Sequence, residues 1–443
     1  MRTERLKYTK PLSLLASFQL ASFLTYLNAN VVNVGDMGTA LPMLAIYVSL
    51  SGVVFLVLWL QRILYLRFSL FIFLLLITWI AARVIIDLGD VAYLKQITIA
   101  TTGGMLLFYL LGAFLGTTFQ SVIMKTEAKH IAKVLMCFFL LLMLWILYSF
   151  SQRLHPTIFY LLDVNGAYQR PGNFLSISYI VIAFFYMTLV FQRIGKKNSL
   201  LGDLFWLFIY TASTFMALVG SQLFGSNSAT VVLLGVYLIT LFMSLILPRK
   251  GIWLSYLKQE LALPWSKRLI KYLVLSTLIG LSLFLGLMVL VIGITGFDVT
   301  SLRLLGFGTG TNTSLLSRAE ILLETGANQI GYAPFWGNIN VAYLTTGDAG
   351  LNLHSFFPYV IANLGLVGLL IVLSLFTSVL LQLFRETKQF KDAGLYGYKL
   401  NIIALYSIFV FLYILFFANL ATDVSWVVLW FTLGFISKPF GFR

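Results

Sequence analysis

The residues of this chain best suited to chemistry are three arginines, one glutamate and one histidine: Arg170, Arg303, Arg318, Glu320 and His354. Four of the five fall in one polar stretch of an otherwise apolar sequence. A guanidinium group is permanently charged, and its planar fork of donors matches phosphate oxygens. A histidine, with an unperturbed pKa of about 6.5, can accept a proton from a hydroxyl at neutral pH. These residue types suit a reaction in which a bound phosphate leaves and an activated hydroxyl attacks.

The rest of the chain has the composition of a membrane protein. Of its 443 residues 60% are hydrophobic and 10% are charged, and the mean hydropathy is +0.94. A soluble protein would carry about 25% charged residues. A helix needs about 20 apolar residues to cross a bilayer, and such windows recur along almost the whole sequence. We therefore predict an all-α integral membrane protein with one polytopic domain, residues 1–443.

The apolar windows predict about twelve transmembrane helices. They lie near residues 11–29, 39–60, 69–86, 97–119, 134–150, 174–191, 200–220, 230–247, 269–294, 356–383, 402–419 and 424–436. Between the ninth and tenth we predict one large external loop, residues 295–355, that carries the candidate active site. Its run SLLSRAEILLETG has apolar positions at helical spacing, so short helices are expected within the loop.

The distribution of Lys and Arg predicts the orientation. Basic residues follow the even-numbered spans, as in Arg62 and Arg67 after the second and Arg385 after the tenth. Because cytoplasmic loops are enriched in Lys and Arg, both termini should be cytoplasmic. The net charge of +15 is then explained by cytoplasmic loops that face anionic lipid, and nucleic acid is not an expected partner.

Two predicted external loops contain arginines, against the usual distribution. Arg153 and Arg170 lie between the fifth and sixth spans, and Arg303 and Arg318 lie in the large loop. Two or three arginines at an outer membrane surface could hold a lipid pyrophosphate. The alternative is that these arginines contact phospholipid headgroups or pair with nearby carboxylates. In that case Glu320 would pair with Arg318.

Of the three histidines, His354 is the candidate for chemistry. His130 and His155 lie in predicted surface turns. His354 occupies the last external position before the tenth span, where the rigid start of a helix can hold its side chain. The alternative is an interfacial residue with no chemical role.

Three stretches resemble the O-antigen polymerase and ligase family, membrane glycosyltransferases that act on undecaprenyl-diphosphate-linked glycans. The first pairs SRAEILLETGANQIGYAPFWGNIN, with Arg318, and LHSFFPYVIANLGLVGLL, with His354, Gly365 and Gly368. The second is NGAYQRPGNFLSISY, with Arg170, Gly172 and Asn173. The third, FGSNSATVVLL, is looser, because Asn227 stands where many members have arginine. A further departure is Ser355, which follows the histidine where asparagine is frequent.

The resemblance implies a polymerase of undecaprenyl-diphosphate-linked oligosaccharide repeat units. Arg170 and Arg318 would bind the donor diphosphate, and His354 would activate the acceptor hydroxyl. Glu320 and Arg303 are candidate supporting residues because of their place in the large loop, and the resemblance does not assign them a role. The implied reaction is inverting and needs no cofactor and no metal. The implied setting is a bacterial cytoplasmic membrane with the site facing the periplasm or cell exterior. Membrane lipid and a chain-length-regulating co-polymerase are the further candidate partners.

Two alternatives remain open. An O-antigen ligase would use the same chemistry with a different lipid acceptor. A lipid-linked oligosaccharide flippase or secondary carrier would have a similar span count, but carriers tend to have internal repeats and broken or charged helices. The sequence indicates neither internal repeats nor broken or charged helices.

Arg83 and Asp87 lie one helical turn apart near the outer end of the third span. They are expected to pair with each other in a structural role.

Overall fold

The computed structural model describes twelve segments of the chain. They are residues 9–33, 40–60, 64–88, 92–119, 128–154, 161, 169–193, 200–246, 321–348, 353–389, 394–422 and 425–442. The predicted ninth span and most of the predicted large loop lie outside these segments. So do three of the candidate site residues: Arg303, Arg318 and Glu320.

The described residues are almost entirely helical. The first eight helices are α1 Thr9–Val32, α2 Leu41–Leu60, α3 Phe68–Leu88, α4 Ala92–Thr118, α5 Ala128–Ser151, α6 Gln169–Arg193, α7 Leu200–Leu223 and α8 Asn227–Ile246. A π-helical turn, Ile321–Thr325, then precedes α9 Gly326–Tyr332, α10 Val341–Thr346, α11 Phe356–Gln389, α12 Gly394–Ala421 and α13 Val427–Ser437. Two short strands, β1 Leu64–Leu66 and β2 Phe440–Phe442, pair antiparallel.

Within the described part of the chain, nine helices are long and apolar enough to cross a membrane. Eleven of the twelve predicted spans coincide with helices, although the apolar parts of the fourth and twelfth, Thr102–Thr118 and Val427–Ser437, are shorter than a full span. The prediction of an α-helical, multi-pass membrane protein is therefore confirmed. The short helices α9 and α10 follow the π-helical turn in the described end of the predicted loop.

The chain divides into two compact units. The first contains residues 1–54, 122–309 and 389–406, and the second contains residues 55–121, 310–388 and 407–443.

The first unit is built around α6, whose span is 94% buried. A helix enclosed on all sides must have partners for its polar side chains inside the protein. Tyr179 of α6 donates a hydrogen bond to the Tyr210 hydroxyl (2.9 Å) and lies 2.7 Å from the Thr214 hydroxyl, both on α7. The Thr240 hydroxyl lies 2.7 Å from that of Tyr406. These hydroxyl contacts join α6 to α7 and α8 to α12 inside the unit.

In the second unit, glycines let α4 and α13 pack backbone against backbone. Gly112 and Gly116 lie one turn apart on α4, and a Cβ at either position would collide with a carbonyl oxygen of α13. Gly434 of α13 faces Tyr109 of α4 in the same way. Small residues at this spacing are typical of closely packed membrane helices.

A charged cluster joins three segments at one end of the second unit. Glu386 of α11 accepts hydrogen bonds from Arg67 (2.8 Å), just before α3, and from Lys438 (3.3 Å), just after α13. Burial lowers the pKa of Lys438, and the Glu386 carboxylate opposes that effect. The pairing of β1 with β2 lies beside the cluster. Because α3 begins and α11 approaches its end here, the two helices run antiparallel.

Candidate functional site

His354 lies in a turn immediately before α11, and its backbone has a positive φ of 50°. A positive φ is uncommon for a residue other than glycine. The flanking residues, Leu353 and Ser355, are buried, whereas His354 itself is half-buried. His354 thus lies two residues before the helix that coincides with the predicted tenth span.

The start of α11 is held by Asn419, near the end of α12. The Asn419 side-chain oxygen accepts a hydrogen bond from the Phe357 N–H (3.0 Å), one of the backbone donors that a helix start leaves without a partner inside the helix. The Ser355 hydroxyl donates to the Asn419 main-chain oxygen (2.8 Å). The serine that departs from the family pattern therefore ties the residue after His354 to α12. Sequence reasoning missed Asn419, although a polar residue near the end of an apolar span was a usable signal.

Nine residues after its start, α11 is broken at Gly365, which has φ 71° and ψ −174°. The break faces Gly337, which also has a φ of 71°. A Cβ on either glycine would collide with the backbone around the other. The expectation that this chain has no broken helix was wrong. A window of apolar residues predicts a span from its hydropathy alone, and one glycine with a non-helical backbone leaves that hydropathy almost unchanged.

Residues 333–340, here named the hook segment, bind to this break through the backbone. The Leu366 N–H donates to Pro334 O (2.9 Å) and the Val367 N–H donates to Phe335 O (3.2 Å). In the opposite direction, the Asn338 N–H donates to Ala362 O (3.0 Å). The break leaves some N–H and C=O groups of α11 without partners inside the helix, and the hook segment supplies partners for them.

Arg83 and Asp87 pair as predicted, and they also hold the hook segment. Arg83 donates from Nε to Asp87 Oδ2 (3.0 Å) and from Nη2 to Asp87 Oδ1, and Nη2 also donates to Gly337 O (2.7 Å). Asp87 Oδ2 accepts the Ile339 N–H (3.0 Å). Their side chains are only 11% and 3% exposed. The pair is therefore a buried anchor between α3 and the hook segment, a role that the sequence did not reveal.

Trp79 adds a third contact between α3 and this region. Its indole N–H donates to Leu364 O (3.0 Å), one residue before the break, and its ring lies 6.0 Å from that of Trp336. Three side chains of α3, spaced along one side of the helix, thus contact the break and the hook segment.

In the first unit, Arg170 lies in the first turn of α6 and is half-buried. Its Nη2 donates to the side-chain oxygen of Asn30 (2.8 Å), and its guanidinium carbon lies 5.8 Å from the centre of the Phe174 ring. Asn30 is fully buried and donates to Tyr26 O (2.8 Å). These contacts orient the guanidinium at the end of the unit where α1 ends and α6 begins.

Arg153 has a structural contact at the same end of this unit. Its Nη1 donates to Val32 O (2.8 Å), the last residue of α1, where helix carbonyls lack partners and favour a positive charge. Gly172 lies against Ser226, which precedes α8, so two of the three family-like stretches meet here.

The five candidate residues are thus distributed as follows. Arg170 belongs to the first unit and His354 to the second, and the other three lie outside the described residues. No family model and no curated protein matches this chain.

Proposed function

We propose that this protein is a polymerase that joins undecaprenyl-diphosphate-linked oligosaccharide repeat units at the external face of a bacterial cytoplasmic membrane. The observation that carries the proposal is the geometry of His354. It has a left-handed backbone beside a helix start that Asn419 holds, at one end of a membrane-embedded unit. Rare backbone conformations that their surroundings enforce cluster at functional sites.

The proposed reaction follows from the residue types. His354 takes a proton from an acceptor sugar hydroxyl, whose oxygen attacks the anomeric carbon of the donor. The bond from that carbon to the diphosphate breaks, and undecaprenyl diphosphate leaves with the bonding electrons. Arg170 and Arg318 stabilise the negative charge that develops on the diphosphate, with Arg303 and Glu320 in supporting positions. Attack opposite the leaving group inverts the anomeric configuration, and no nucleotide or metal is required.

The proposed topology has twelve spans with both termini cytoplasmic. It is supported by the cluster of Arg67, Glu386 and Lys438, because all three belong to segments that the Lys and Arg pattern assigns to the cytoplasm. The Asp87 end of α3 and the start of α11 lie at the opposite end of the second unit, which the same pattern assigns to the exterior.

The test uses purified protein in nanodiscs with an undecaprenyl-diphosphate-linked repeat unit, EDTA, and no nucleotide. A ladder of polymer on a gel is the expected result, and unchanged substrate would count against a polymerase. If product forms only after a lipid acceptor is added, the protein is a ligase.

A second candidate, a flippase for the same lipid, is favoured by two features of the second unit. The broken helix α11 and the buried Arg83–Asp87 pair are features that carriers use at their binding sites. Against it, the hook segment pairs with the backbone around the break, at Leu366, Val367 and Ala362. Movement of the labelled lipid across sealed vesicles, without polymer, would select the flippase.

A further inference from the structure

The hook segment runs along the side of α3, within the length of that span. Gly337 is bound to Arg83 and Ile339 to Asp87, one helical turn further on. Successive residues of the hook segment, from Trp336 through Gly337 to Ile339, thus contact Trp79, Arg83 and Asp87, which lie on successive turns of α3.

Trp336 lies well inside the length of α3. It packs near Trp79, which precedes the last residue of α3, Leu88, by nine residues, or about 13 Å along the helix axis. Residues that sequence reasoning assigned to an external loop therefore lie at a depth where an apolar span would be surrounded by lipid.

The backbone of the hook segment is suited to that depth. Non-helical backbone is tolerated inside a membrane only where its polar groups are paired or meet water. Here the N–H groups of Gly337, Asn338 and Ile339 donate to Ala333 O, Ala362 O and Asp87 respectively. The carbonyls of Pro334, Phe335 and Gly337 accept from α11 and from Arg83.

The outward-facing side chains of this region are apolar or aromatic. Phe335 is 66% exposed and Trp336 is 60% exposed, although both lie beside membrane-spanning helices. Tyr332 and Tyr343, at either side of the hook segment, are also more than half exposed. Ile85 and Ile86 on α3 and Leu370 on α11, the two spans that contact the hook segment, are exposed as well.

We propose that the hook segment is re-entrant, and that Phe335 and Trp336 insert among the acyl chains of bulk phospholipid in the leaflet at the Asp87 end of α3. Tyr332 and Tyr343 then lie at the headgroup level, where an amphipathic ring is most stable. The occupant is bulk lipid, because the hook segment is bonded to two membrane spans that themselves expose apolar side chains, and its own exposed side chains carry no charge. This inference is independent of the proposed glycosyl transfer.

The test measures the depth of spin labels on single cysteines in nanodiscs. In a Cys137→Ser background, labels are attached at Trp336→Cys, at Leu75→Cys as the lipid-facing control and at Asp348→Cys as the water-facing control. At Trp336→Cys we expect collisions with oxygen to exceed those with a water-soluble nickel chelate, as at Leu75→Cys. A preference for the chelate, as at Asp348→Cys, would overturn the proposal. Low access to both would also overturn it, since protein or a tightly bound polyprenyl chain would then cover the site.

A conservative variant covers the case in which the cysteine variant does not fold. Phospholipid brominated on its acyl chains quenches tryptophans that touch those chains. We expect Trp336→Phe to lower the quenched fraction of fluorescence, whereas Trp430→Phe, which removes a fully buried ring, should leave the amount of quenched emission unchanged. Equal quenched emission in Trp336→Phe and wild type would contradict the proposal.

Discussion

At the residue scale, one residue of another helix, Asn419, holds the two residues that bracket the start of the helix after His354. Asn419 accepts hydrogen bonds from Phe357 and Ser355, which begin the helix that His354 precedes. Its own amide N–H donates to Leu415 O (2.9 Å), so the amide has one orientation. A general base must lie within hydrogen-bonding distance of the hydroxyl that it deprotonates, so a rigid helix start beside His354 favours that role.

Asn419→Ala should therefore lower both stability and activity. Loss of the oxygen that caps the Phe357 N–H should cost about 1 kcal/mol of unfolding free energy, and polymer formation should fall further than that loss explains. Ser378→Ala, which removes only a hydrogen bond within α11 to Leu375 O, is the matched control. Thermal unfolding in detergent and the polymer assay measure the two effects. Equal behaviour of the two variants would contradict the role assigned to Asn419.

The contact between Gly337 and Gly365 makes a second prediction at this scale. Gly337→Ala should destabilise the protein by about 3 kcal/mol or more, because the new methyl group collides with the α11 backbone as well as straining φ. Gly347→Ala has the same backbone strain, since its φ is 75°, but its Cβ would meet open space. It should cost only about 1–2 kcal/mol. Similar losses of thermal stability in both would argue against a close contact.

At the element scale, α3 acts as the anchor for the hook segment and the break in α11. The anchor combines a buried ion pair with main-chain hydrogen bonds. Removal of one partner from a buried pair leaves an uncompensated charge, which typically costs about 3–5 kcal/mol. The position of the hook segment therefore depends on Arg83 and Asp87 together.

Arg83→Ala should release the hook segment. We expect faster hydrogen exchange at the amide of Ile339, whose acceptor Asp87 loses its charged partner, and at that of Asn338. Exchange at Ser226, which bonds to Ser221 O in the other unit, serves as the internal reference. Unchanged exchange at the hook segment would mean that α11 alone holds it.

At the whole-molecule scale, the sequence predicted the membrane class and most helices, and it did not predict the break or the hook segment. Long apolar runs such as Phe68–Leu88 report burial in lipid directly. The break at Gly365 depends on a contact with Gly337, far away in the chain, which no local window contains. The pairing of Arg83 with Asp87 was predictable from their spacing. The pair also bonds to the main-chain groups of Gly337 and Ile339, and because every residue has such groups, the sequence does not identify these partners. Asn419 was missed although a polar residue near the end of an apolar span could have indicated it.

The proposed orientation can be tested with single cysteines in the Cys137→Ser background. Asp348 and Arg385 are both exposed; Asp348 precedes α11, and Arg385 lies in the last turns of that helix. A membrane-impermeant maleimide added to intact spheroplasts should modify Asp348→Cys and should reach Arg385→Cys only after permeabilisation. The reverse pattern would invert the topology and place the start of α11 in the cytoplasm.

The central claim is that His354 is the base in a metal-independent glycosyl transfer. The most direct measurement compares wild type, His354→Ala and His130→Ala, an exposed histidine outside the site, in the nanodisc assay with the lipid-linked repeat unit and EDTA. Polymer ladders are expected from wild type and His130→Ala, with a loss of at least about 100-fold in His354→Ala, the lower range for general base catalysis. A full ladder from a folded His354→Ala protein would contradict the account.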